Sequence, residues 1–337
     1  MDRFTEEKAN KWWQEHKWPL GINYVTSDAV NDIEMWMDAT FNPALIEREL
    51  GIAASLGYNS ARVFLSFTVW YNERERFLEN FEKFLKIADA AGISVMPVLF
   101  DDCAFDFGSD PVYGPQPEPV YGVHNSRWVP SPGFAVQDDA TYADALREYV
   151  HSVIEKHRAD ERVLIWDLYN EPGNSKRFEK CIPLLKNAFR YARECEPVQP
   201  LTAGVWEFSR NREAEDICIE YSDVISMHCY SRLERLQARV AALEEKNRPI
   251  LVTEWLHRPA GSTVEDILPY FCEKKIGAYQ WGMIQGRTQT NLSWATMNGG
   301  NPEPNPALWQ HDILYPDGTP YRAGEVELIK RLSGKHN

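Results

Sequence analysis

The chain has 337 residues, of which 44% are hydrophobic, and carries a formal net charge of -14. That charge and the absence of clustered Lys and Arg exclude a phosphate-reading surface and with it a nucleic-acid partner, while a neutral substrate is compatible. The length admits two average domains or one large α/β barrel and does not by itself choose. From the N-terminus, the first residues lack a basic stretch followed by an apolar one, and no later segment is long enough to span a membrane, so no membrane partner is expected. As written, the expected location is cytoplasmic, or periplasmic or secreted if a signal has been removed.

Eight short β-rich apolar runs follow, at residues 20–25, 60–65, 94–100, 163–170, 201–206, 224–230, 250–254 and 277–283. Apolar residues at three- and four-residue spacing predict helices between them at 43–56, 77–90, 142–157, 177–195, 233–243 and 264–272. The fifth crossover, at 212–221, reads as short and weakly helical. Asn42-Pro43 and Ser175 are plausible helix starts, and Gly57 and Gly92 stand where helices stop. Strand and helix alternating eight times predicts a parallel (β/α)8 TIM barrel, and no Gly-rich turn of a doubly wound sheet follows the first strand. With no repeat, linker or low-complexity tract, residues 1–337 read as a single domain.

A typical barrel takes about 250 residues, so the surplus belongs in loops. Two long connections take most of it, 101–137 after the third strand and 282–321 after the eighth. Both follow strands, which places them on the face where barrel active sites form, walling a cleft. The first carries His124, Asn125 and Trp128; the second carries Trp294, Asn301 and Trp309. The six cysteines form no disulfide framework and no CxxC pair, so free thiols are expected, although Cys103 and Cys229 both lie near strand ends.

Two glutamates close buried runs: Glu171 in Trp166-Asp167-Leu168-Tyr169-Asn170-Glu171-Pro172 and Glu254 in Ile250-Leu251-Val252-Thr253-Glu254-Trp255. A carboxylate at such a place is costly unless something pairs with it or uses it. Side chains alternate across a strand, so parity groups Asp167, Tyr169 and Glu171; Ile250, Val252 and Glu254; Arg62 and Phe64; and Ser226, His228 and Tyr230. If those parities face the barrel axis, the two glutamates meet Arg62, His228 and Tyr230 at its mouth. Arg62 beside Glu254 favours the ionised form there, and that charge in turn raises the pKa of Glu171. Opposite protonation states fit a nucleophile and a general acid. Tyr230 is placed to donate to Glu254, and Asn170 to hold a substrate hydroxyl.

Asn170-Glu171-Pro172, His228-Cys229-Tyr230, Glu254 and Trp281 together resemble the retaining glycoside hydrolases of clan A, the cellulase-like family five and its relatives. The resemblance runs from Arg62 to Trp281. It implies Glu171 as acid/base and Glu254 as nucleophile, Asn170 on the sugar 2-hydroxyl, Arg62, His228 and Tyr230 orienting the carboxylates, and Trp281 stacking on the sugar. The substrate implied is a β-linked glucan, mannan or xylan, with no metal or organic cofactor. Many relatives carry a histidine at or soon after the third strand, where this chain has Asp101-Asp102-Cys103. His124, with Asn125 beside it, supplies that role from the loop.

Blander readings exist for each residue. Arg62 forms a structural ion pair, His228 is a satisfied core histidine, Trp281 is core, and Asp167 is a buried structural carboxylate beneath the site. Asp101, Asp102 and Glu207 either touch substrate or are solvated. Trp36, Trp70, Trp128, Trp206, Trp255 and Trp294 divide between cleft and core. A non-catalytic carbohydrate-binding barrel is the alternative function. A metal-dependent hydrolase would need an HxH-type pair where the first strand reads Gly21-Ile22-Asn23-Tyr24, and a Schiff-base aldolase would need a strand lysine.

Overall fold

The computed structural model describes residues 2–105, 110–206, 212–299 and 307–335; Glu207 and Asn301 lie outside them. Eight parallel strands form the sheet: β1 (Leu20–Tyr24), β2 (Ser60–Phe64), β3 (Ser94–Asp101), β4 (Trp166–Asn170), β5 (Leu201–Thr202), β6 (Ile225–His228), β7 (Ile250–Trp255) and β8 (Gly277–Trp281). Their order is β5-β4-β3-β2-β1-β8-β7-β6. The two ends meet where Val205 bridges Met227 and His228 N–H donates to the Val205 carbonyl, closing a (β/α)8 TIM barrel. The strands read as continuous apolar runs because helices cover one face and barrel packing the other.

Helix boundaries follow local chemistry. The Asn42 side chain accepts from Leu45 N–H to start Pro43–Leu56, and Gly57 ends that helix at φ 106°. Ser175 starts no helix. It and its neighbours Lys176 and Phe178 hold positive φ, so the chain turns first and the helix begins only at Ile182, with Pro183 in its first turn. After β2 the helix Phe67–Ala90 is broken by a kink at Glu73, where φ is -141°, and its longer second part contains the predicted 77–90, while residues 212–221 form a regular ten-residue helix. Among the described residues four helices have no counterpart among the predicted elements, the ten-residue Glu6–Glu15 and Ala323–Leu332 and the short Asp32–Trp36 and Phe134–Asp138. Trp12 and Trp13 of the first pack on Met96, Ile165, Val224, Leu251 and Tyr279, a separate cluster toward the N-terminal ends of the strands. Gly21 belongs there because a Cβ would stand 2.3 Å from the Tyr279 ring.

Both long connections follow the strands named for them, β3 and β8, and among the described residues they contain only short helical turns. All six cysteines are free. Among the described residues no helix is long and apolar enough to cross a membrane.

Candidate active site

The C-terminal strand ends surround a cavity of about 380 Å³. Behind its lining lies Arg62 of β2, fully buried and bonded on every side. Its Nε donates to Asp167 Oδ2 at 2.9 Å, Nη1 to Asn23 Oδ1 at 2.7 Å and to Glu254 Oε1 at 2.9 Å, and Nη2 to Asn170 Oδ1 at 2.6 Å. One guanidinium thereby joins β1, β2, β4 and β7. The charged form survives burial because Asp167 and Glu254 both compensate it, and its pKa lies above the ordinary value.

Glu254 also accepts from the Tyr230 hydroxyl at 2.7 Å. His228 Nδ1 stands 2.7 Å from Glu171 Oε1 and 3.4 Å from Glu254 Oε2. Gly204 leaves room for that ring, since a Cβ would lie 3.0 Å from His228 Nε2. Burial pushes His228 down to about 4, so it sits between the carboxyls as a neutral imidazole. Glu171 accepts from Asn174 Nδ2 and from the Cys103 thiol. Its backbone is left-handed, at φ 45°, a strain on the order of 1–3 kcal/mol of the kind that clusters at functional sites.

Glu171 is pushed up to about 7, as expected in direction, but the cause differs from the one the sequence suggested. Burial, and not the Glu254 charge, does the lifting. Burial also raises Glu254, against the opposing pull of His228, Arg62 and the Tyr230 hydroxyl. Of the two, Glu254 alone has a bonded cation, so the charge of the pair settles on it and the proton on Glu171. One pair of groups thus holds a protonated and an ionised carboxyl side by side at neutral pH.

Strict parity fails at the strand ends. Arg62 binds both Asp167 and Asn170, which alternation would put on opposite faces. Tyr169 instead packs its ring on Phe100, outside the barrel, and donates to Asp102 at 2.7 Å. On β7 Leu251 joins the inner cluster while Val252 joins the outer core, so Ile250, Val252 and Glu254 do not share a face. Register shifts between Val252 and Trp255, and between Met227 and His228, supply the extra residue that turns Glu254 inward.

Asn170, Glu171, His228, Tyr230, Glu254, Trp281 and His124 all line the cavity. Trp281 is steadied by edge contacts to Phe64 and Trp128, with ring centroids 5.6 and 5.9 Å away. His124 Nδ1 is 2.8 Å from the Leu292 carbonyl, and burial lowers its pKa to about 4. Asn125 is buried away from the cavity, because its backbone N–H is tied to the Thr288 carbonyl at 2.7 Å. Asp101 and Asp102 are neither solvated nor in the cavity lining. Asp101 accepts from Asn170 Nδ2 and Trp128 Nε1, and Asp102 from Tyr169, Gln137 and Gly173, so they hold the Asn170-Glu171-Pro172 turn. Trp128, Trp206 and Trp294 reach the cavity, whereas Trp36, Trp70 and Trp255 are core.

Sequence reasoning missed Asn23, Cys103 as a partner of Glu171, Asn174 and His311. Asn23 could have been found, since a polar residue inside a buried strand needs a partner. Asn174 and His311 come from connections with no local signal. Two groups of described residues offer three metal-ligand atoms within 4.8 Å of one another: Glu171, His228 and Glu254, and, away from the cavity, His151, Glu155 and the buried Cys195. In the first, Arg62 already compensates Glu254. In the second, His151 is already paired with Glu155 and Glu194.

A family model described as "Glycosyl hydrolases family 2, TIM barrel domain" matches residues 74–299. No curated protein sequence matches the chain. Among solved structures, a single-substitution variant of the protein GH5_18 from Streptomyces cattleya, in complex with Manb1-4GlcNAc, is similar at TM-score 0.63 and 14% identity, covering 95% of this chain and 82% of that one. An exo-beta-1,4-mannosidase from Opitutaceae bacterium strain TAV5 is similar at TM-score 0.64 and 16% identity, covering 94% and 60%. A glycoside hydrolase family 5 mannosidase from Rhizomucor miehei is similar at TM-score 0.59 and 14% identity, covering 94% and 92%. At such identities these likenesses speak for the fold. The family match bears out the clan A relationship, through family 2.

Proposed function

The chain belongs to the glycosyl hydrolase family 2 TIM-barrel family, and from that premise we propose that it is a retaining β-glycoside hydrolase. The observation that carries the reading is the carboxyl pair: ligand oxygens of Glu171 and Glu254 lie within 4.8 Å of one another. Retaining enzymes hold their carboxyls about 5–5.5 Å apart, whereas inverting ones need about 6.5–9.5 Å to admit water.

In the first step Glu254 attacks the anomeric carbon and forms an ester to it while the glycosidic C–O bond breaks, and Glu171 gives its proton to the departing oxygen. In the second, Glu171, now ionised, takes a proton from water as the water oxygen attacks the same carbon and frees Glu254. Arg62 and Tyr230 hold the attacking carboxylate, Asn170 is turned toward the substrate 2-hydroxyl by Arg62 and Asp101, and Trp281 offers its face to the ring. The chemistry needs no cofactor. The mannosidase names of the structural neighbours make β-mannosides the first substrates to assay, before β-glucosides and β-xylosides.

Proton NMR of a β-aryl glycoside reaction is the direct test, with the β-anomer of the free sugar expected first and mutarotation later. First formation of the α-anomer would overturn the retaining mechanism. Measurable sugar binding without turnover on the whole panel would favour a carbohydrate-binding barrel instead.

Glu171 also makes a pH prediction. Its folded pKa, about 7, lies above its ordinary 4.5, so its contribution to stability is present below 4.5 and lost as pH rises through 7. Glu171→Gln should therefore stabilise the protein at pH 8, by on the order of 2–3 kcal/mol, and change little at pH 4. In the parent enzyme kcat/KM should fall above pH about 7 as Glu171 loses its proton. Urea unfolding at the two pH values and a pH–rate profile check both halves. A basic limb that persists unchanged in Glu171→Gln would assign it to another group.

A further inference from the structure

A second void, of about 20 Å³, shares Trp281 with the catalytic cavity and is lined from β1, the helix Pro43–Leu56 and the connection after β8. It has room for one water-sized body. Two acids line it, Glu49 and Asp312, each 1% exposed. Glu49 Oε2 accepts from the Tyr24 hydroxyl at 2.9 Å and from Ser27 N–H at 3.4 Å, and Asp312 Oδ2 accepts from Thr290 Oγ1 at 3.0 Å. The other oxygen of each, Glu49 Oε1 and Asp312 Oδ1, has no hydrogen-bond partner. Gly282, at φ 76°, leaves Asp312 uncovered, since a Cβ there would stand 2.6 Å from Oδ1. Arg258, whose charge reaches Asp312, is bound to Glu325 at 2.7 Å, and Asp28 adds a further negative charge beside Glu49. Two buried carboxylates on one void without a bonded cation are costly, and a cation between them removes the cost.

We infer that this void is a calcium site, with Glu49 and Asp312 as its anionic ligands. The donors around it are oxygens: the two carboxylates, the hydroxyls of Thr288 and Thr290, and backbone carbonyls. No Cys or His lines it, so it does not suit a soft metal, and two carboxylates match a doubly charged ion. Magnesium keeps several of its waters, for which the void has no room, whereas calcium accepts an irregular set of protein oxygens. The ion joins β1, the helix Pro43–Leu56 and the connection after β8 beside Trp281, the residue that offers its face to the sugar. Asn23, which also lines the void, accepts from Arg62 at 2.7 Å and so carries the support through to the carboxyl pair. The site takes no part in bond cleavage and stands whether or not the chain cleaves glycosides.

The test strips the full chain with a chelator, exchanges it into metal-free buffer at pH 7.5 and titrates it with calcium chloride by calorimetry, following thermal unfolding in parallel. One calcium per chain is expected, with the unfolding midpoint raised by roughly 3–5 °C at a hundredfold excess over Kd. Magnesium chloride should bind about tenfold more weakly or less. Glu49→Gln and Asp312→Asn should each weaken calcium binding about a hundredfold, since each removes one of two anionic ligands. Without metal the same variants should unfold at or above the parent's midpoint, because each removes an unpaired buried charge. Terbium in place of calcium reads the site in the parent itself: its luminescence should be excited through tryptophan, fall in Trp281→Phe and be quenched by added calcium. No saturable calcium uptake by the parent would mean that the void holds water alone and would overturn the site. Uptake retained by both acid variants, or terbium emission unaffected by Trp281→Phe, would place the ion elsewhere and overturn it equally. Equal affinity for magnesium would overturn the choice of calcium.

Discussion

Glu254→Ala is expected to abolish hydrolysis, with kcat falling by about four to six orders of magnitude, while the barrel stays folded. The fold survives because Arg62 keeps Asp167 as counter-ion, 2.9 Å away. The rate does not, because among the described residues Glu171 is the other carboxylate lining the cavity and it is the proton donor. Added azide discriminates between the two glutamates. In Glu254→Ala it enters the vacated space and attacks the intact glycoside from the nucleophile's face, giving an α-glycosyl azide. In Glu171→Ala, on a substrate with a good leaving group, the ester on Glu254 still forms, and azide then attacks from the opposite face to give a β-glycosyl azide. Chromatography and NMR of the azide products read the outcome. The reverse stereochemical pattern would exchange the two roles, and full activity in either variant would remove that residue from the mechanism.

Arg62→Ala is expected to cost about 3–5 kcal/mol of stability, and activity as well, because it strands Asp167 and Glu254 as uncompensated buried charges. The loss has a pH signature. With the guanidinium gone, both carboxyls hold their protons to higher pH than in the parent, so the stability deficit should shrink as pH falls from 7.5 to 5. Combining Arg62→Met with Asp167→Asn removes both members of the lower pair and should recover part of the stability at pH 7.5. It should not recover catalysis, since Glu254 still lacks the cation that keeps it ionised. Chemical denaturation at the two pH values, with kcat measured alongside, separates a structural role from a positioning one. A deficit independent of pH would mean that lost packing, and not stranded charge, sets the cost.

The barrel was legible because its signals are short-range. Apolar runs of strand length, three- and four-residue helical spacing, and the Asn42 and Gly57 caps each act over a few residues. Parity located Arg62, His228 and Tyr230 correctly, as their contacts with the glutamates show. It misplaced Tyr169, whose ring packs on Phe100, and Val252, because on β7 a register shift interrupts the alternation beside Glu254. Asn125 followed His124 in sequence but not in space, its backbone being held against Thr288. The helices Glu6–Glu15 and Ala323–Leu332 lie outside the alternating units and carried no barrel signal.

By itself the sequence determined eight strand–helix units, two glutamates at strand ends, and the motif that relates the chain to clan A. These follow from periodicity, turn chemistry and residue identity, all of which are local. Only the tertiary structure decided what keeps the proton on Glu171. That depends on burial and on Arg62 meeting Glu254 across 192 residues of chain. Contacts at such separations are made by the closed barrel and are not encoded in any one segment.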